Sequence, residues 1–124
     1  MNRLFGEYRH LIDAKGRLFM PSRLLKVLGN PFFISVSSAK CLNVYTLDQW
    51  EKLEERFEDL PEEEEMERRR RFYSIAQECS PDTQGRVLLS QKLRSYAGLD
   101  KNVVIAGAGK YAEIWDAAAW DGDH

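Results

Sequence analysis

DAKGR at residues 13–17 and DTQGR at residues 82–86 are one phrase, Asp-x-x-Gly-Arg, written twice in a chain of 124 residues. The Asp and the Gly explain themselves. An Asp side chain accepts hydrogen bonds from its own downstream amides in a tight turn, and Gly takes the positive φ that such turns require. The Arg does not, because no turn geometry needs a guanidinium at the first strand position after the Gly. Sliding the chain on itself by 69 residues aligns the two phrases and sets Arg23 on Lys92, Leu24 on Leu93 and Gly29 on Gly98. A slide of 70 sets CLNVYTLDQW (41–50) on YAEIWDAAAW (111–120). The chain is therefore two copies of one design, offset by a small insertion.

Each copy reads alike. A stretch of alternating character, EYRHLID or more weakly AQECSPD, enters the turn, and RLFMP or RVLLS leaves it, which predicts a strand, a turn and a strand in hairpin fashion. A short helix follows, PSRLLKVLG from Pro21 to Gly29 and SQKLRSYAG with Ser90 as its cap and Gly98 as its stop. Two strands come next, FFISVS with CLNVY and NVVIAG with YAEIW. Thr46 and Gln49 fit a capping box, with Tyr45 packing on Trp50 as a staple, and Trp115, Asp116 and Trp120 repeat the arrangement. These aromatic residues are read as structural. Strands and short helices in this order predict an α+β protein.

Between the copies lies LPEEEEMERRRRF (60–72). Pro61 opens a helix whose glutamates meet the positive end of the helix dipole and whose arginines meet the negative end. The spacing predicts ion pairs of Glu64 with Arg68, Glu65 with Arg69 and Glu67 with Arg71. Two readings stand for Arg68 to Arg71: the solvated face of a connecting helix, or a contact with a phosphate backbone or a neighbouring subunit.

The net charge of −2 taken alone argues against a nucleic-acid partner, but the charge is unevenly spread. Residues 1–31 carry six basic and two acidic side chains, whereas residues 48–67 carry two basic and eleven acidic ones. Removing that acidic segment leaves an electropositive remainder. No apolar run reaches the about 18 residues of a membrane helix and the N-terminus lacks the apolar centre of a signal peptide, so a cytoplasmic protein is expected. Cys41 and Cys79 have no Cys-x-x-Cys context and read as buried reduced thiols rather than zinc ligands.

Catalysis finds little support. His10 is the only interior histidine, in an alternating strand, with no nucleophile written beside it. Contiguous carboxylates at Glu62 to Glu65 point in different directions on a helix and make a poor cation cage. Gly107, Gly109 and Ala112 mimic a dinucleotide fingerprint, but a strand follows where the fingerprint requires a helix, so the glycines read as a hairpin turn. No cofactor, metal or small-molecule substrate is expected.

The repeated arginines remain. One reading is an ordinary turn carrying a loose surface ion pair worth about 0–1 kcal/mol. The other uses the flanking cations, Lys15, Arg17, Arg23 and Lys26 in the first copy and Arg86, Lys92 and Arg94 in the second. A guanidinium that an Asp holds in one rotamer suits bidentate contact with a guanine edge or a phosphate.

FGEYRHLIDAKGRLFMP, DTQGRVLLSQKLRSYAGL and the closing IWDAAAW resemble the MraZ family, bacterial transcriptional regulators of the division and cell wall gene cluster. The resemblance spans nearly the whole chain and includes both signatures. It implies two tandem, pseudo-two-fold related AbrB-like repeats of the swapped-hairpin β-barrel type, at 1–60 and 74–124, joined by a charged helix at 61–73. It further implies a ring-shaped homo-oligomer, cytoplasmic and nucleoid-associated, that binds direct repeats in double-stranded promoter DNA and usually represses its own cluster. Carried over by position, the DNA-contacting arginines are Arg17 and Arg86, with Asp13 and Asp82 as supports and Lys15 as a phosphate contact. The second copy departs from the pattern: Ser90 replaces the usual Pro, and Thr83 and Gln84 leave its turn without a Lys. A different class of function stays open, an oligomeric scaffold whose arginines pair with the acidic segment of a neighbouring chain.

Overall fold

The structure is a computed structural model and describes residues 3–123. Among these it forms eight strands and five helices, an α+β architecture. In chain order they are β1 (Glu7–Leu11), β2 (Arg17–Phe19), α1 (Ser22–Leu28), β3 (Phe32–Val36), β4 (Leu42–Thr46), α2 (Leu47–Glu58) and α3 (Glu62–Ile75). There follow β5 (Gln77–Cys79), β6 (Arg86–Leu88), α4 (Gln91–Tyr96), β7 (Asn102–Gly107), β8 (Tyr111–Asp116) and α5 (Ala117–Asp123). No described helix is long and apolar enough to cross a membrane.

Local signals set most of these elements. Ser90 Oγ accepts from the Leu93 amide at 3.2 Å and Thr46 Oγ1 from the Gln49 amide at 3.1 Å, so both caps satisfy a free helix donor. The staple forms as well, with the Tyr45 and Trp50 rings 5.8 Å apart. Its counterpart repeats the ring contact, with Trp115 and Trp120 5.9 Å apart, but Asp116 Oδ1 accepts from the Asp100 amide. Within α3, Arg69 pairs with Glu65 at 2.9 Å and Arg71 with Glu67 at 3.4 Å, whereas Glu64 and Arg68 make no ion pair among the described residues. The helix buries no residue completely, yet its end is anchored, because Phe72 stacks on Trp50 at 4.9 Å and its carbonyl accepts from the buried Ser35 hydroxyl.

The strand order departs from simple hairpins. The six-stranded sheet runs β1-β7-β8-β4-β3-β5 and a separate two-stranded ribbon is β2-β6, every pair antiparallel. The adjacent pairs β3 with β4 and β7 with β8 form as their sequences suggest. The strands flanking each Asp-x-x-Gly turn do not make a ladder with each other. Between β1 and β2 only an isolated bridge, Ile12 to Leu18, survives. Instead β1 adds to β7 of the second copy, β5 adds to β3 of the first, and β2 pairs with β6. Interchanging the copies maps this order onto itself, with the pseudo-axis between β4 and β8 and through the Leu18–Val87 pair.

Exchange produces one shared core. Leu4, Leu18, Leu24 and Ile34 from the first copy and Val87, Leu93, Ile105 and Ile114 from the second belong to the same buried cluster. Sheet strands covered on both faces lose the apolar-polar alternation of half-exposed ones, which is why Val103 to Ala106 are all buried. Cys41 and Cys79 are free thiols within this interior, and burial pushes them up to about 11 and about 12.

Candidate nucleic-acid interface

Both Asp-x-x-Gly-Arg turns close in the same way. The Asp13 amide donates to the Arg17 carbonyl at 2.9 Å and the Gly16 amide to the Asp13 carbonyl at 3.0 Å; Asp82, Gly85 and Arg86 repeat both distances. Gly16 at φ +85° and Gly85 at φ +79° occupy the left-handed region that makes the chain reverse here. The carboxylate then organises the residues after it. Asp13 Oδ1 accepts from the amides of Lys15 and Arg17, each at 2.9 Å, and Asp13 Oδ2 accepts from Arg17 Nε at 2.7 Å. Asp82 treats Gln84 and Arg86 identically, with the Nε contact at 2.9 Å. The backbone N–H of the arginine, in each turn the largest cause, holds the carboxyl below the usual carboxylate range.

The Arg in the repeated phrase is thus locked by its own Asp through Nε alone. The Nη donors of Arg17 and Arg86 make no hydrogen bond among the described residues, so each turn offers a pre-oriented cationic fork. Both arginines are only partly covered, with side-chain exposures of 31% and 22%.

The ribbon sets the arginines relative to one another. Arg17 stands opposite Leu88, and Phe19 opposite Arg86, with buried Leu18 and Val87 between them. Alternation along a strand puts Arg17, Phe19, Arg86 and Leu88 on one face. Arg17 and Arg86 are diagonal neighbours there, about 7–8 Å apart. The same face exposes Phe19 by 46% and Leu88 by 60%. Gly16 and Gly85 also fasten the ribbon ends, since their carbonyls accept from the Leu89 and Met20 amides at 3.0 and 2.9 Å.

Behind the turns the symmetry fails. A Cβ on Gly85 would lie 3.5 Å from Leu25 Cδ1, so α1 of the first copy backs the second turn. A Cβ on Gly16 would lie 3.1 Å from Cζ and Nη2 of Arg94, so α4 of the second copy backs the first turn, and with a cation. Arg94 counts by sequence with the second signature and by position with the first. The internal alignment that sets Leu24 on Leu93 sets Leu25 on Arg94 and so marks the difference; only the strand exchange reveals which turn receives it. Lys15 is exposed on the first turn, where Gln84 occupies the matching site of the second.

The chain matches the profile of one family in two consecutive stretches, residues 4–73 and 72–122, described as "MraZ protein, putative antitoxin-like". A protein of Heliobacterium modesticaldum called "Transcriptional regulator MraZ" is 47% identical over 117 residues, covering 93% of this chain and 82% of its own. Proteins of the same name from Desulfitobacterium hafniense and Acetivibrio thermocellus are 46% and 40% identical, covering 93% and 94% of this chain and 82% and 83% of theirs.

Proposed function

The chain belongs to the MraZ family of transcriptional regulators, which is not a family of enzymes, and on that premise we propose that it binds double-stranded promoter DNA through Arg17 and Arg86. The observation that carries this reading is the pair of identical turns, each with an arginine fixed at Nε by Asp13 or Asp82 and presenting its Nη donors from one ribbon face. Pre-orientation of a planar fork reduces the rotamer entropy lost on binding and fits a guanine edge or a phosphate. At 3.4 Å per base step along one DNA strand, arginines about 7–8 Å apart span roughly two steps. One chain therefore reads a single short site, and successive promoter repeats are read by successive chains.

The remaining parts of the reading belong together. Ring-shaped homo-oligomers present many such ribbons, so that modest contacts act at high effective concentration on direct repeats. The fold is of the AbrB-like swapped-hairpin barrel type, with 1–60 and 74–124 as units of sequence repetition and 61–73 as the charged connector. The protein works in the cytoplasm at the nucleoid and represses its own division and cell wall cluster, without a cofactor or small-molecule substrate. Lys15 adds a phosphate contact.

Gel-shift titration with the duplex upstream of the chain's own coding sequence tests the reading. Binding at low salt that weakens linearly in log affinity against log salt is expected. Folded protein that shifts no upstream fragment at low salt would leave the scaffold reading standing, in which the arginines pair with the acidic 48–67 segment of a neighbour.

A further inference from the structure

We infer that Arg94 is a third cationic contact of the first reading turn, to DNA phosphate, and that the two turns of one chain are therefore unequal, the first gripping the backbone and the second reading with little electrostatic help. This rests on the proposed DNA-binding reading and adds to it a residue and an asymmetry between the turns.

The geometry of Arg94 is that of a held group with free donors. Its Nε donates to the Leu89 carbonyl at 3.1 Å, and the Leu89 amide in turn donates to the Gly16 carbonyl at 3.0 Å. The guanidinium is thereby fixed against the backbone of Gly16, where no side chain intervenes and where an added Cβ would come within 3.1 Å of Cζ and Nη2. Arg17 and Arg86 each spend charge on an Asp, but Arg94 makes no ion pair among the described residues and no hydrogen bond from its Nη atoms. An arginine anchored through a neutral carbonyl keeps its full charge for a ligand. The adjoining groove is lined by Asp13, Ala14, Asp100 and Lys101 beside Arg94. Asp13 is occupied by Arg17.

The first turn, which carries Lys15 and Arg17, is thus backed by Arg94, whereas the second, which carries Gln84 and Arg86, is backed by Leu25. Phosphate contacts fix register and carry affinity, and base contacts carry specificity. A chain with one turn of each character docks on a short site in one orientation, which a fully symmetric ribbon would not do.

The test substitutes Arg94→Leu, the residue that already fills the equivalent place at Leu25, and Arg94→Lys, in the full chain. Each is titrated with the upstream duplex between about 50 and 200 mM salt, with thermal unfolding measured alongside. Arg94→Leu should stay folded, bind more weakly and flatten the log–log salt slope by about 0.9 per engaged chain, which is about 3.5-fold less change in affinity across that range. Arg94→Lys should restore most of the slope. If Arg94→Leu unfolds, Arg94→Gln keeps length and a donor for the Leu89 carbonyl and must show the same flattening. A folded Arg94 variant with the parent's slope and affinity overturns the inference while Arg17→Ala still loses binding. Loss of the proposed function itself looks different: the parent then shows no salt-dependent binding at all.

Discussion

The two turns share every backbone hydrogen bond and differ only in what stands behind and beside them. Around Gly16 stand Lys15 and Arg94; around Gly85 stand Gln84 and Leu25. Duplication copies a turn together with its local rules, because the Asp-to-amide bonds lie within five residues. It does not copy the surroundings once the copies trade strands, since each turn is then backed by the helix of the other copy. A functional asymmetry can thus enter a symmetric fold through one helix position while both turns stay intact.

The largest effects should come from the arginines. Arg17→Ala and Arg86→Ala should each cost about 1–3 kcal/mol of binding, roughly 5- to 150-fold, with unfolding temperatures nearly unchanged. They should differ in kind. Arg86→Ala strips the cation from its signature, whereas Arg17→Ala leaves Lys15 and Arg94 holding the backbone and should retain more salt-sensitive, sequence-indifferent affinity. Identical salt slopes for the two variants would erase the comparison.

Next come the glycines. Gly16→Ala and Gly85→Ala both force a side chain into positive φ and should lose about 1–3 kcal/mol of stability by thermal or denaturant unfolding. Only Gly16→Ala also pushes on Arg94, at 3.1 Å, while the Cβ at position 85 meets Leu25 at an ordinary 3.5 Å. DNA titration should therefore show the extra loss at position 16 alone.

Acid should act on both turns alike. Asp13 and Asp82 have carboxyl groups held below their ordinary value, chiefly by the backbone amides of Arg17 and Arg86. Their contribution is present above the unfolded value of about 3.9 and is lost as pH falls through the lower folded values. Stability followed by circular dichroism should decline below that point, and Asp13→Asn or Asp82→Asn should each remove part of the decline by equal amounts. A difference between them would mean that the backing residues also tune the carboxylates.

The smallest effect concerns the thiols of the shared core. Burial raises Cys41 to about 11 and Cys79 to about 12, so at neutral pH neither supplies thiolate and both should react slowly with thiol reagents until the chain opens. Rapid labelling of Cys79 alone would show that the three-residue β5 detaches from β3.

Much of this architecture is legible in the chain. The repeat, the turns, the caps at Thr46 and Ser90 and the adjacent strand pairs all depend on residues close in sequence. The pairing of β1 with β7 does not: Tyr8 meets Ile105, and nothing in the alternation of EYRHL distinguishes that partner from the strand just across the turn. A turn that reverses the chain suggests a hairpin, but here the pairing ends one isolated bridge beyond the turn's own hydrogen bonds, at Ile12 and Leu18, and the strands part to separate sheets. The position of Arg94 is hidden for the same reason. Its grouping with Arg86 follows the sequence, and its contact with Gly16 follows the exchange.

In the proposed function Arg17 and Arg86 bind DNA and do not hold the fold. This is met most directly by the double variant Arg17→Ala, Arg86→Ala, measured by circular dichroism and light scattering beside a titration with the upstream duplex. Parental folding and assembly are expected with sequence-specific binding abolished, and partial recovery when both positions carry Lys. A double variant that binds like the parent, or that unfolds, would make these arginines part of the architecture and contradict it.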